Sequence, residues 1–170
     1  MTIHSSNEPR DSDEELWRLL AAASSEKEFE IECARFMQRA REPYGQIRKR
    51  LRGSVPDIFT ALGVLKIGDD LLRENFFDEI LYRCKSLRFG RFARSIVLSM
   101  PRSWVIANVE AAADKLLATA DHLDFKLFLM LYEILDSQLA LRLAKRAAMH
   151  DDFDIKETGV DFLQKVGQVL

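Results

Sequence analysis

The sequence predicts an all-α protein, and three observations support that class. Apolar residues recur at spacings of three and four through most of the 170 residues, which places them on one face of a helix. No run alternates apolar and polar residues as a half-buried strand does, and no Asn-Gly hairpin signal occurs. Only seven Gly and four Pro interrupt the chain, too few for the many turns of an all-β protein. Helices joined by short turns are therefore expected.

The first third of the chain predicts a tail and a helical hairpin. Residues 1–11 are polar and are expected to form a disordered tail. Ser12 with Glu15 has the pattern of a capping box, in which a hydroxyl and a carboxylate satisfy free amides at a helix start. Ser25 with Glu28 repeats this pattern before a second helix. The apolar residues at helical spacing in this hairpin are Leu16, Trp17, Leu20, Phe29, Cys33, Phe36, Met37 and Ala40.

The middle of the chain predicts three further helical segments after a short basic stretch. Residues 44–52 form that stretch, and Gly53 closes it. Pro56 marks a new helix start, because a missing amide costs nothing in the first turn. A second amphipathic segment covers Leu71–Leu87, and a third covers residues 91–100. The expected buried stripe of the first of these helices is Ile58, Phe59, Leu62 and Leu65.

The C-terminal part predicts four helices. The first covers residues 102–119, with Val105, Val109, Ala112 and Leu116 on one face. Residues 123–135 are apolar nearly all round, which predicts a helix buried between neighbours at the centre of the stack. Asp136 and Asp152 are expected to cap the last two helices. The residues of the final helix expected to face inward are Ile155, Gly159, Phe162, Leu163 and Val166.

A degenerate repeat relates these segments. Phe89, Phe125 and Phe153 each open a helical segment that follows another one, at intervals of 36 and 28 residues. The residues twelve, nine and five positions before them are all apolar or small: Phe77, Ile80, Cys84, Ala113, Leu116, Ala120, Leu141, Ala144 and Ala148. Such recurrence predicts a short solenoid, or α-α superhelix, of stacked antiparallel hairpins in one domain over residues 12–170. An irregular helical bundle is the alternative.

Residues 137–168 resemble a HEAT-type repeat. An acidic turn at Asp151 and Asp152 precedes Ile155, Lys156 and Gly159, where the family has an aliphatic, a basic and a small residue. The family usually has Arg and Ala at the last two of these places. Earlier segments match less well, and residues 44–70 do not match. The resemblance implies a recognition scaffold, since such repeats mostly bind proteins and sometimes nucleic acid.

Charge is distributed unevenly. The formal net charge is −2, but residues 35–94 carry fourteen basic and seven acidic residues, while the flanks carry eleven and twenty. Stacked hairpins would give a basic middle able to orient a partner. The candidate binding residues are Arg41, Arg48, Lys49, Arg50, Arg52, Arg88, Arg91 and Arg94. Solvated helix faces with no binding role are the other interpretation.

Signals of catalysis, metal binding and membrane insertion are absent from the sequence. The three His residues lack the spacing of a zinc helix, and the acids after His150 fail as a calcium loop because Glu157 stands where Gly is required. Cys33 and Cys84 are interpreted as core residues. No signal peptide is evident, and the apolar run 127–132 is too short to cross a bilayer. We therefore expect a cytoplasmic protein without enzymatic activity, metal or cofactor.

These observations favour a non-enzymatic scaffold that binds another protein, and the basic middle favours a partner of acidic character. Bacterial immunity proteins, adaptors and regulatory subunits are the classes that suit a scaffold of this size. The second hypothesis is a nucleic-acid-binding repeat module that uses the same arginines.

Overall fold

A computed structural model describes residues 12–167 of the chain, and the predicted all-α class is confirmed: these residues form eleven helices and no strand. The predicted tail at residues 1–11 lies outside the described residues. The helices are α1 (Asp13–Ala21), α2 (Glu26–Arg39), α3 (Pro43–Arg50), α4 (Val55–Ile67), α5 (Asp70–Asn75), α6 (Phe77–Cys84), α7 (Gly90–Val97), α8 (Arg102–Leu117), α9 (His122–Leu135), α10 (Ser137–Ala148) and α11 (Phe153–Gly167).

The helices divide into two compact units, Met1–Ile67 and Gly68–Leu170. In the first unit, the serine half of each predicted capping box is confirmed: the Ser12 and Ser25 hydroxyls accept the amides of Glu15 and Glu28. The Glu28 carboxylate accepts the Ser24 amide instead of that of Ser25. Trp17 of α1 packs edge-on against Phe36 of α2, with ring centroids 5.4 Å apart. These contacts build the expected α1–α2 hairpin.

The basic stretch 44–52, for which the sequence predicts no secondary structure, is mostly helical because Pro43 begins α3. One prediction for the first unit is wrong. Phe59 is 42% exposed although it was expected in the core of α4. The stripe that α4 buries is Ile58, Ala61, Leu62, Val64 and Leu65. Phe59 points roughly 100° away from Ile58 and so falls outside this stripe.

The second unit begins with α5, α6 and α7. The continuous helix predicted over Leu71–Leu87 is interrupted at Phe76, which separates α5 from α6. Phe76 and Phe77 are both buried at this break. In one straight helix these neighbours would point roughly 100° apart, so the change of direction allows both rings to enter the core.

Ion pairs between α8–α9 and α10–α11 share one sequence offset. Arg142 on α10 makes two hydrogen bonds to Glu110 on α8, of 3.0 and 2.8 Å, and Arg146 pairs with Asp114 one turn further on. The second ion pair lies one turn further towards the C-terminus than the first on both helices, so α8 and α10 run parallel. Between α9 and α11, Lys165 lies 3.8 Å from Glu133. In all three pairs the second residue is 32 positions after the first.

Helices α10 and α11 approach closely at Gly159, the place where the HEAT-type family has a small residue. A Cβ atom on this residue would lie 2.6 Å from the Ala144 carbonyl oxygen, and closer still to the Ala148 amide nitrogen. The expected caps at Asp136 and Asp152 are present too, each carboxylate accepting two backbone amides. Together these features fix α11 against α10.

Three expectations for the C-terminal helices are wrong or hold only in part. Helix α9 is not buried on every side, since Met130 and Ile134 are 50% and 57% exposed. Phe153 is 73% exposed while Phe125 is fully buried. The two are not equivalent because α11 begins at Phe153, whereas Phe125 is the fourth residue of α9. On α11, Ile155 and Gly159 are buried, but Phe162, Leu163 and Val166 are only half-buried.

Candidate functional site

Arg50, one of the predicted binding residues, is held inside the first unit. Its guanidinium bonds to Glu14 of α1 at 2.6 Å and to Asp57 of α4 at 3.1 Å. It also lies over the Trp17 ring, 5.3 Å from the centroid. The Trp17 indole N–H donates to Asp57 at 3.0 Å. Since its side chain is only 13% exposed, Arg50 joins three helices and is not a free contact for a partner.

The carboxylates around Arg50 are stabilised in their charged forms. Burial works to raise the pKa of Asp57, but hydrogen bonds from Ser54 and Trp17 and the charge of Arg50 outweigh it and hold the pKa below its usual value. The hydrogen bond and charge of Arg50 likewise lower the pKa of Glu14. This network is a structural feature of the first unit.

The other four predicted residues of the first unit, Arg41, Arg48, Lys49 and Arg52, are exposed. Three of the cluster's cations, Arg48, Lys49 and Arg50, occupy the last turn of α3. Cations are favourable at a helix C-terminus because its carbonyl groups carry partial negative charge. Helix stabilisation therefore explains much of this cluster without a ligand.

In the second unit, Arg94 is also engaged internally. Its guanidinium donates to the Cys84 carbonyl oxygen at 2.8 Å, which closes the C-terminal end of α6. Gly90 packs so closely that a Cβ atom there would lie 2.6 Å from the same oxygen. These contacts fix the α6–α7 turn. Arg88 and Arg91 project from it as exposed side chains, and neither forms an ion pair with a described residue of this unit.

The α6–α7 turn combines positive charge with an uncovered apolar side chain. Leu87 is 94% exposed at its tip. Tyr82, half exposed, has the Arg83 guanidinium and the Lys85 amine 5.3 and 5.7 Å from its ring centroid. Residues 80–109 contain no Asp or Glu. The six cations of that stretch are Arg83, Lys85, Arg88, Arg91, Arg94 and Arg102.

Side-chain contacts arrange three parts of the second unit in a row. Lys85, in the α6–α7 turn, makes a 2.8 Å ion pair with Asp124 at the start of α9. Phe125 beside it packs against His150 of the α10–α11 turn, with ring centroids 5.8 Å apart. The first turn of α9 thus links the two interhelical turns. All three belong to one side of the hairpins, where the chain reverses direction.

The three most exposed large apolar side chains of the described residues lie in or beside the two turns that the start of α9 links. They are Leu87 at 94%, Met149 at 83% and Phe153 at 73%. We call these three residues, together with Arg88 and Arg91, the turn edge. Its end at α10–α11 is acidic, with exposed Asp151 and Asp152. The turn edge therefore has apolar groups along its length and opposite charges at its two ends.

Groups suited to covalent chemistry are poorly placed for it. Burial raises the pKa of Cys33 to about 11 and of Cys84 to about 12, so both thiols stay protonated near neutral pH. Tyr132, beneath a polar cleft of about 340 Å³ between α8 and α10, donates to the Val109 carbonyl oxygen, and burial raises its pKa too. Within residues 12–167, no three His, Cys, Asp or Glu side chains are grouped to hold a metal ion.

The apolar part of the turn edge is not among the binding residues that the sequence predicts. Leu87 and Met149 have no predicted role, and Phe153 is predicted only to open a helical segment of the repeat. Tyr82, an exposed aromatic residue among cations, is likewise not predicted. Their position was the available signal, because Leu87 and Met149 lie in short segments between helices, where a large apolar residue has no core to enter.

Comparison of the chain with protein-family models, with curated proteins and with solved structures found no match. The HEAT-type resemblance therefore remains a prediction. Among the helices of residues 12–167, none has the length and apolar character needed to cross a membrane.

Proposed function

We propose that the protein is a scaffold that binds an acidic segment of another protein, with apolar residues of that segment packing on the turn edge. The observation that carries this proposal is the exposure of Leu87, Met149 and Phe153 in or beside two turns that the start of α9 links. Large apolar side chains left in water are typical of interfaces, where buried anchors supply most of the affinity. Arg88 and Arg91 would orient the acidic segment and raise its association rate.

The hairpin geometry supports the repeat part of this proposal. Two successive hairpins, α8–α9 and α10–α11, contact each other through residues 32 positions apart. Stacked repeats keep such a constant offset and present their turns along one edge. We therefore retain the short solenoid as the proposed architecture of this part of the second unit. A role as a cytoplasmic adaptor, regulatory subunit or bacterial immunity protein fits such an edge, and the free, buried cysteines fit a reducing compartment.

Photo-crosslinking in the native cell would test the proposal. We expect a crosslinking amino acid at position 87 or position 153 to capture the same partner, because both positions lie on the turn edge. The triple variant Leu87→Gln, Met149→Gln, Phe153→Gln should lose that partner. Leu71→Gln is the matched control, since Leu71 is 62% exposed but lies on α5, outside the turn edge. If the folded triple variant retains the partner, the proposal is wrong.

Nucleic acid is the second candidate ligand, because residues 80–109 carry six cations and no carboxylate, with Tyr82 exposed among them. Aromatic residues beside cations can stack on bases while the cations contact phosphates. Fluorescence anisotropy with a labelled single strand and a duplex distinguishes this function. Phosphate binding predicts an affinity that falls steeply with salt and is lost in Arg88→Glu, Arg91→Glu. Binding of an acidic peptide that contains one Phe, together with no binding of either oligonucleotide, would favour the protein partner.

A further inference from the structure

The outer face of α9 carries an apolar stripe that the second unit leaves partly uncovered. Leu123, Met130 and Ile134 are 50%, 50% and 57% exposed, and Leu127 between them is half-buried. The four residues follow one another at intervals of four, three and four. This spacing is the one by which a helix pairs side by side with another helix. The opposite face of α9, with Phe125, already packs in the core.

Two opposite charges flank the stripe on the same side. Lys126 and Glu133 are seven residues apart and each immediately precedes a stripe residue, Leu127 and Ile134. Both charged residues are exposed. They therefore occupy equivalent positions in successive heptads, with a positive charge in one and a negative charge in the next.

This pattern complements itself when a second α9 lies antiparallel across a two-fold axis. Residues that hold this heptad position face each other in antiparallel pairs, so Lys126 of each copy meets Glu133 of the other. In the apolar layers, Leu127 meets Met130 and Leu123 meets Ile134. A parallel pairing would instead place Lys126 opposite Leu131, and would leave Glu133 without an opposite residue because α9 ends at Leu135. The charge pattern thus selects the antiparallel orientation.

We infer that two copies of this chain associate through their α9 helices in antiparallel orientation, as a symmetric homodimer. A groove between α9 and α11 is lined by Lys126 and Glu133 of α9 and by Asp161 and Lys165 of α11. Lys165 contacts Glu133 at 3.8 Å, but their side chains are 70% and 47% exposed, so this exposed pair contributes little and can rearrange. The seam is short, and the dimer is accordingly weak, with a dissociation constant on the order of 10 to 100 µM.

Sedimentation velocity of the full chain, from about 5 to about 500 µM, tests the inference across this affinity range. We expect a reversible monomer–dimer equilibrium. Lys126→Glu and Glu133→Lys should each weaken it about tenfold or more, because each change creates two like-charge contacts across the axis. The double variant Lys126→Glu, Glu133→Lys should restore dimerisation. Equimolar mixing of the two single variants should give a heterodimer tighter than either homodimer.

A charge change outside the seam is the matched control. Lys145→Glu makes the same charge change on the exposed face of α10, outside the seam, and should leave the equilibrium unchanged. Ile134→Gln should reduce dimerisation without altering the helical circular dichroism. A chain that stays monomeric throughout overturns the inference, as does a dimer that the charge exchange neither breaks nor restores. Because the turn-edge variants leave Lys126 and Glu133 intact, the dimer and the proposed function can fail independently.

Discussion

Gly159 is the residue on which the packing of α11 against α10 depends most directly. In an exposed helix, Gly→Ala would stabilise by about 1 kcal/mol because alanine has the higher helix propensity. Here the added methyl group would press against backbone atoms of α10, which have little freedom to move. Its neighbour Ile155 is buried on the same face, so displacement of α11 would uncover core surface.

Gly159→Ala is therefore expected to lower the free energy of unfolding by about 1–3 kcal/mol, the usual cost of overpacking. Urea denaturation followed by circular dichroism measures this change. Gly167→Ala is the matched control, since no atom lies within 4 Å of the added Cβ position, and it should be neutral or slightly stabilising. Equal effects of the two substitutions would contradict the close helix approach.

Asp57 gives a prediction about pH. Its pKa is lower in the folded protein than its ordinary value near 3.9, so its stabilising contribution is complete above that value and is lost as pH falls through the folded pKa. Asp57→Asn should cost about 1–3 kcal/mol at pH 7, since the largely shielded Arg50 loses a partly buried charged partner. The difference in the free energy of unfolding between the variant and the unchanged protein should shrink below pH 4. Urea unfolding at pH 7 and below pH 4 measures this difference. An undiminished difference at low pH would contradict the lowered pKa, and exposed Asp161→Asn serves as the control.

The sequence predicts the role of a single residue correctly when that role depends on neighbours a few positions away. Ser12, Ser25, Asp136 and Asp152 cap helices as expected, because a cap acts on amides two or three positions away. Arg50 was assigned to a binding surface instead of an internal network. Its partners Glu14 and Asp57 lie on other helices, and nothing in the local pattern indicates that they meet.

Among the helices, α9 shows how one element can serve two surfaces. Its inner face fills the core with Phe125 and Phe128, while its outer face leaves the Leu123–Ile134 stripe partly in water. An apolar character all round predicted burial on every side. The sequence shows that α9 is apolar on most of its surface. The placement of the neighbouring helices decides which part of that surface is covered within the same chain.

The ion pairs between α8 and α10 yield a prediction for these two helices. A double-mutant cycle on Glu110 and Arg142 should give a coupling energy of about 0.2–1 kcal/mol, since the pair is solvent-exposed although bidentate. The exchange Glu110→Arg, Arg142→Glu should recover most of the stability lost in either single variant. Urea denaturation at low and high salt measures the coupling and its screening. A coupling energy of zero at low salt would contradict the contact between α8 and α10.

The whole chain contains two compact units, and each has its own tryptophan: Trp17 in the first and Trp104 in the second. Units with separate cores can unfold in separate transitions. In a Trp104→Phe background, the emission of Trp17 reports on the first unit alone. We expect Asp57→Asn to lower the urea midpoint of this emission and Gly159→Ala to leave it unchanged. A fully cooperative chain would instead show the same decrease with both substitutions.

The sequence by itself determined the all-α class and most helix starts, because helix periodicity and capping depend on residues within one or two turns of each other. Only the tertiary structure decided that Phe76 interrupts a predicted helix, that Arg50 lies in an internal network, and that the turns carrying Leu87, Met149 and Phe153 are linked through the start of α9. These outcomes depend on contacts between residues tens of positions apart, such as Lys85 with Asp124 and Phe125 with His150. The local sequence pattern does not show which distant side chains come into contact. In this protein, such contacts bring together the turns that form the candidate binding surface.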